Sequence, residues 1–131
     1  MAKVCLDTDI LGEYFLNKKE AVETIVALER ENDIAVTPFV VFELFCLAEN
    51  SEKPEENKKI VEELLMRITI LEWTMSSCAE AANLYVSLAM QKKKVEIRDL
   101  LAGVLAAEKG YALLTNNKEA YHTIPRLKLY K

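Results

Sequence analysis

The order of apolar runs along the chain predicts an α/β fold, a single-domain three-layer α/β/α arrangement around a short-stranded central parallel sheet. Three observations carry this. Short apolar runs that read as strands occur at Val4-Cys5-Leu6, expected to be buried, and at Ile34-Ala35-Val36, Ile68 to Leu71 and Tyr111 to Leu114. Segments with apolar residues at helical spacing fill the intervals, and strands alternating with helices imply a parallel sheet covered on both faces. Compact polar residues follow the first and last of these runs, as Asp7-Thr8-Asp9 and Thr115-Asn116-Asn117. In open α/β sheets ligands lie beyond the carboxyl ends of the strands, so a site is expected at these two positions.

Composition sets bounds on function. At 131 residues the chain suits one domain spanning 1–131. Apolar residues at 51% and charged residues at 29% give a soluble globular profile. No run is long enough to span a bilayer, so a cytoplasmic protein without membrane association is expected. Cys5, Cys46 and Cys78 are odd in number and set in apolar segments, and are expected as reduced core thiols. His122 is the only histidine, which excludes a His-rich metal site. Any metal must rest mainly on carboxylates, favouring Mg²⁺ or Mn²⁺. The net charge of −4 argues against binding nucleic acid by bulk electrostatics. It leaves room for an acidic metal site with a local basic rim.

The elements follow in order. After the first strand, Ile10, Leu11, Tyr14 and Phe15 recur at helical spacing until Asn17-Lys18-Lys19 breaks the pattern. A second helix from about Glu20 to Glu31 places Val22, Ile25, Val26 and Leu28 on its apolar face. Asn32-Asp33 reads as a turn before the second strand. Thr37-Pro38 supplies an N-cap and a first-turn proline for a third helix, Phe39 to Ala48, which is apolar nearly all round and so expected to be buried on most faces. Glu43 sits in the middle of it. A buried carboxylate needs a cation, donors or an opening to water, so Glu43 is a candidate functional acid or else snorkels to a solvent edge. A polar loop from Glu49 to Glu56 precedes a fourth helix, Pro54 to Arg67, with Ile60, Val61, Leu64 and Leu65 inward. Ser77 and Glu80 have capping-box spacing for a fifth helix with Ala81, Leu84, Tyr85 and Leu88 inward, closed by Lys92-Lys93-Lys94. The sixth helix opens near Ile97 with Asp99 in its first turn, where an acid also suits the dipole. Gly103 leaves room for a strand to pack, and Gly110 ends the helix. Lys118 to Tyr121 is a helical turn, and Leu127-Lys128-Leu129 a last short strand.

Asp7 and Asp9 alone suit turn and cap roles as well as chemistry. The topology brings Asp7 beside Thr115-Asn116-Asn117, and helices starting on the same edge bring in Glu43 and Asp99. Clustered carboxylates repel one another, so such a cluster makes little sense without a divalent ion.

The ordered set Leu-Asp-Thr at the start, Glu43-Leu44 in a middle helix, Arg98-Asp99-Leu-Leu-Ala and then Leu-Leu-Thr115-Asn-Asn117 resembles the PIN-domain ribonucleases. The closing Lys-Glu-Ala-Tyr-His-Thr-Ile-Pro-Arg-Leu is similar to the end of VapC-type toxins of toxin–antitoxin pairs. The resemblance spans the chain and implies a metal-dependent endoribonuclease. It implies Mg²⁺ or Mn²⁺ at Asp7 and Asp99, with Glu43 as third acid. Asn117 falls where many members carry a fourth acid, and Glu119 is a candidate replacement. Thr8 and Thr115 match positions that orient the acids. Arg98, Lys92, Lys93 and Lys94 are candidates for RNA contact, or else a solvated helix end. The implied partners are RNA, a small antitoxin protein and a second copy of the chain.

Rival readings remain. Leu6-Asp7-Thr8-Asp9 also fits a haloacid-dehalogenase-type phosphatase, with Asp7 as nucleophile and Asp9 as acid, but the late acidic pair of that chemistry is missing at Thr115-Asn116-Asn117. A response-regulator receiver needs an Asp after a middle strand, and Leu71-Glu72-Trp73-Thr74 has none. A PIN fold that binds without cleaving is compatible with Asn117. Crowding of like charges leads to the expectation that Asp7→Asn leaves the fold intact or more stable. The stripe Phe39, Phe42, Phe45 serves a core or a homodimer contact.

Overall fold

The computed structural model describes residues 2–15 and 19–131. Asn17 and Lys18, expected in a break between helices, lie outside the described residues. The elements run β1 (Lys3–Leu6), α1 (Thr8–Phe15), α2 (Lys19–Glu31), β2 (Asp33–Val36), α3 (Pro38–Glu49), α4 (Pro54–Leu65), β3 (Thr69–Ile70), α5 (Met75–Met90), α6 (Ile97–Glu108) and β4 (Ala112–Leu114), then a 3₁₀ turn at Lys118–Tyr121. The strands pair in parallel in the order β3-β2-β1-β4. Asp33, expected in a turn, opens β2 and aligns with Lys3. The expected last strand shrinks to one bridge between Leu113 and Leu129. Arg126, in the left-handed region at φ 64°, breaks the extended run just before it.

Both faces of the sheet are buried at β1, β2 and β4, which explains why these strands read as continuous apolar runs, whereas the two residues of the edge strand β3 are exposed. Cys5 and Ala35 point into a core shared with α5 and α6, including Ala81, Leu88, Leu100 and Leu105. Val4, Leu6, Ile34 and Val36 point the other way, onto Leu11, Ile25, Val40, Leu44, Val61 and Leu64 of α1–α4. The chain steps outward from β1 to β2 and β3, then returns through α5 and α6 to pair β4 on the other side of β1. The topological switch point, where α/β folds bind ligands, therefore lies between β1 and β4.

Local signals account for several element ends. The Thr37 hydroxyl accepts the Val40 N–H at 3.3 Å, and Pro38 occupies the first turn of α3. Gly110 ends α6 at φ 77°. The cap of α5 lies one position set earlier than expected: Thr74 is the N-cap and Ser77 its reciprocal partner. Trp73, edge-on to Phe39 with ring centroids 5.2 Å apart, anchors the chain just before that start. Buried Ser77 then spends its proton on Glu108 at 2.6 Å, tying α5 to α6.

Burial departs from expectation in four places. α3 is not buried all round: Val40, Leu44 and Ala48 face the core, while Phe42 is 70% and Leu47 52% exposed. Tyr85, Ile60 and Val26 are exposed, because α5, α4 and α2 each present a narrower inward stripe than their apolar residues allow. Of the thiols only Cys5 is buried, whereas Cys46 and Cys78 are exposed. Gly103 makes room for the C-terminal segment and not for a strand: a Cβ there would stand 3.0 Å from Ile124 and 3.3 Å from Tyr121.

Candidate active site

The site is built at the end of β1. The Asp7 N–H donates to Leu114 O at 3.0 Å, so the β1–β4 ladder runs up to the first residue of the site. This places Asp7 against Thr115, whose hydroxyl donates to Asp7 Oδ2 at 2.8 Å. The Tyr121 hydroxyl, brought in by the 3₁₀ turn over Gly103, donates to the same oxygen at 2.8 Å. The other oxygen, Oδ1, accepts the Thr8 N–H at 2.8 Å and Arg98 Nη2 at 2.7 Å. Asp7 is 5% exposed, and its carboxylate is fully partnered.

Arg98 gathers the remaining acids. Its Nη2 reaches Glu43 Oε1 at 2.5 Å and Thr8 Oγ1 at 2.7 Å, and its Nε reaches the same Glu43 oxygen at 2.8 Å. Its Nη1 donates to Tyr121 Oη at 2.6 Å and Asp99 Oδ1 at 3.2 Å. Thr8 Oγ1 in turn donates to Glu43 at 2.6 Å. One guanidinium thus touches Asp7, Glu43 and Asp99, delivered by the end of β1, the second turn of α3 and the first turn of α6. Oxygens within bonding distance of one planar group are necessarily near neighbours, so the three acids expected at one edge of the sheet meet there.

The electrostatics follow from this geometry. Burial alone would raise the Asp7 carboxyl, but the Arg98 charge and the bonds from Arg98, Thr115 and Tyr121 outweigh it and hold Asp7 below the usual carboxylate range. Burial works against the charge on Arg98, yet its bonds to Glu43 and Asp7 keep it firmly protonated. Tyr121 is raised by burial and by the neighbouring Asp7 charge, so it stays a neutral donor. Asp9 is raised by burial and by Asp7. Its Oδ2 accepts the Asn116 N–H at 3.0 Å, which pins the segment after β4, and lies 3.4 Å from the Thr115 hydroxyl that also serves Asp7. One oxygen of the acid that a phosphatase would need is thus taken up in anchoring the segment after β4.

Two expectations are corrected. Arg98 is not a rim cation free to steer a nucleic acid, because it lies at the centre of the acid cluster with only 27% of its side chain exposed. A divalent ion is also not the only way to neutralise the clustered carboxylates, since Arg98 does so from within the chain. The other candidates divide. Thr8 and Thr115 do contact the acids. Lys93, Lys94, Asn117 and Glu119 line a cleft of about 540 Å³ that opens beside Asp99 and is completed by Tyr85 and His122. Among the described residues, the Asn117 and Glu119 side chains make no hydrogen bond to the three acids; Asn117 bonds through its N–H to Thr115 Oγ1. Lys92, at φ 59°, turns the chain out of α5 and does not line the cleft. Tyr121 is the participant the sequence did not reveal: a tyrosine in a C-terminal turn reads as packing, and only the fold aims its hydroxyl.

The donor set suits a hard divalent cation, because carboxylate oxygens outnumber the one guanidinium and Mg²⁺ is usually held by one or two carboxylates plus water. Among the described residues, however, no three acidic, histidine or cysteine side chains already stand in a shared-ion arrangement. The guanidinium fills the place where the carboxylates converge.

Comparison with known proteins agrees with the fold. The chain is 29% identical over 129 residues to ribonuclease VapC2 of Haemophilus influenzae, covering 98% of this chain and 96% of that protein. It is 26% identical over 128 residues to the tRNA(fMet)-specific endonuclease VapC of Shigella flexneri, with 98% and 96% covered. The solved structure of DNA-bound VapBC from Salmonella typhimurium superposes with a TM-score of 0.86 at 25% identity, over 99% of this chain and 98% of that one. The PIN domain family matches residues 4–124. With the match running from β1 to beyond the 3₁₀ turn, the chain belongs to the PIN domain family.

Proposed function

We propose that this chain is a VapC-type endoribonuclease, the toxin of a toxin–antitoxin pair, which hydrolyses RNA phosphodiester bonds with Mg²⁺ or Mn²⁺ held by Asp7, Glu43 and Asp99. The convergence of these three acids at the switch point of the sheet is the observation that carries the reading. It is supported by the names of the relatives, a ribonuclease and a tRNA endonuclease. When bound, the ion supplies Lewis-acid polarisation of the scissile phosphate and a nucleophilic water at neutral pH. The chain supplies the rest. Thr115 and Tyr121 keep Asp7 ionised and fixed, and Thr8 orients Glu43. Tyr121 also spans from Asp7 towards Asp99 Oδ1, at 3.3 Å, and so sets the spacing of two acids from distant elements. Lys93 and Lys94 offer phosphate contacts along the cleft beside Asp99, where they fix register without reading sequence. Asn117 and Glu119 face the same cleft as candidate fourth donors.

The antitoxin partner rests on the solved relatives, which are VapBC complexes. The exposed Phe42 and Leu47 of α3 offer apolar surface for such a partner or for a second copy of the chain in a homodimer. None of the described helices is long and apolar enough to cross a membrane, and the free thiols Cys46 and Cys78 suit a reducing cytoplasm. The test is cleavage of labelled single-stranded RNA and tRNA by the purified, partner-free chain. Cleavage that needs Mn²⁺ or Mg²⁺ and stops in EDTA supports the reading. Binding without cleavage in either condition points to the non-cutting PIN domain that Asn117 allows, and turnover of aryl phosphates points to the phosphatase.

A further inference from the structure

We propose that the Arg98 guanidinium is an internal stand-in for the metal: it and a divalent cation compete for Asp7, Glu43 and Asp99, so the chain alternates between an arginine-closed resting site and a metal-loaded one. The inference rests on the acidic-site reading above and adds a state to it. Four observations support it. The three acids share this one cation, with Nη2 on Asp7 and Glu43 and Nη1 on Asp99. No three acids stand ready to share an ion while it is there, among the described residues. A guanidinium and a divalent ion a few ångströms apart in a half-buried site repel strongly, so the two states exclude each other. Finally, Arg98 sits in the first turn of α6, where the helix dipole disfavours a cation, and Glu96 at the N-cap provides no side-chain cap. The three carboxylates, with the Tyr121 and Thr8 hydroxyls, hold the guanidinium inward, and a cation that neutralises the carboxylates takes away its charged partners.

The side chain has somewhere to go. The cleft beside Asp99 is open and carries Glu96 and Glu119 on its wall, and Asp99, which Arg98 contacts, lines it, so the cleft offers a displaced guanidinium a way to water. The arrangement keeps the partnered acids folded without metal, and it lowers apparent metal affinity in proportion to the small fraction of molecules in the open state.

The experiment is Mn²⁺ binding, followed by the electron paramagnetic resonance of free Mn²⁺, to the wild-type chain, Arg98→Gln and Arg98→Lys, each with thermal melts in EDTA and in excess Mn²⁺. Loss of the competitor should tighten Mn²⁺ binding of Arg98→Gln by about ten-fold or more, with Arg98→Lys between the two. Arg98→Gln should also melt lower than wild type in EDTA and recover in Mn²⁺. Equal or weaker Mn²⁺ binding by Arg98→Gln, with clear binding by wild type, overturns the competition and leaves the acidic metal site standing. Absence of Mn²⁺ binding in all three chains removes the metal site itself and the inference with it. If Arg98→Gln does not fold in EDTA, the ¹⁵Nε–H resonance of Arg98 in the wild-type chain decides. It should be shielded from exchange in EDTA and shift or broaden as Mg²⁺ saturates, whereas an unchanged resonance at saturation overturns the proposal.

Discussion

β1 and β2 lie side by side, and each ends in a buried polar residue that leads into a helix: Asp7 before α1 and Thr37 before α3. Thr37 spends its oxygen locally, on the N–H three residues ahead. Asp7 gathers Arg98, Thr115 and Tyr121 from the far end of the chain. Two strand ends with the same place in the architecture thus do different work. One starts a helix, and the other closes a site that exists only when the whole fold is formed. The contrast separates a structural polar residue from a chemical one by the reach of its partners, not by its type or its burial.

The largest effect that would sharpen this contrast is at Asp7. Asp7→Asn should lower metal-dependent RNA cleavage by at least about 100-fold, because a charged donor to the ion is lost. It should also destabilise the chain by about 1–3 kcal/mol in EDTA, measured by urea titration, since Arg98 loses a charged partner in a largely buried cluster. This reverses the expectation from like-charge crowding alone. The crowding is real, but the internal guanidinium makes Asp7 a net attractive partner.

The same ion pair sets a pH dependence. The folded-state value of Asp7 lies below its ordinary 3.8. Its stabilisation is therefore fully present above about 3.8 and is lost as pH falls through the lower folded value. The stability of the wild-type chain in EDTA should drop below pH 4 by more than that of Asp7→Asn, so the two curves approach one another in acid. Curves that stay parallel would mean that Arg98 does not hold Asp7.

Smaller effects probe the supports. Tyr121→Phe removes a donor to Asp7 and an acceptor for Arg98, and should cost about 0.5–1.5 kcal/mol, with a weaker dependence of stability on acid pH. Thr37→Ala should cost about 1 kcal/mol through loss of the α3 cap. Its cleavage rate per folded molecule should match wild type. A rate loss as deep as that of Asp7→Asn would erase the distinction between the two strand ends.

What the sequence reveals follows the same division. The first two strands, β4, the Thr37-Pro38 start of α3 and the Gly110 stop of α6 are written in neighbouring residues, and the structure places them as read, whereas the third strand is cut to Thr69–Ile70 and the last to one bridge. Glu43 is legible as a candidate because an acid inside an apolar helix has few bland uses, whereas Asp7 and Asp99 also suit cap and dipole roles and become candidates through the topology that brings their segments to one edge. Their common cation is not legible. Arg98 and Asp99 are consecutive on α6, so helical spacing points them apart, and only the length of the arginine stem brings both to one point. Tyr121 is hidden for a related reason, since its ring packs like any core aromatic and its hydroxyl gains meaning from β4 and Gly103. The α5 cap is misplaced by one set because Thr74 and Ser77 both suit the role, and Trp73 decides between them through a contact with α3.

Asp99 decides most directly whether the three acids form one metal-dependent site, because an acid in the first turn of a helix also has an ordinary explanation in the dipole. The measurement is the single-turnover rate of RNA cleavage by wild type and Asp99→Asn in saturating Mn²⁺, with both chains shown by circular dichroism to be folded. If Asp7, Glu43 and Asp99 form one metal-dependent site, Asp99→Asn retains the fold and loses cleavage by at least about 100-fold. Cleavage by Asp99→Asn at the wild-type rate, or wild-type cleavage that persists in EDTA, contradicts it.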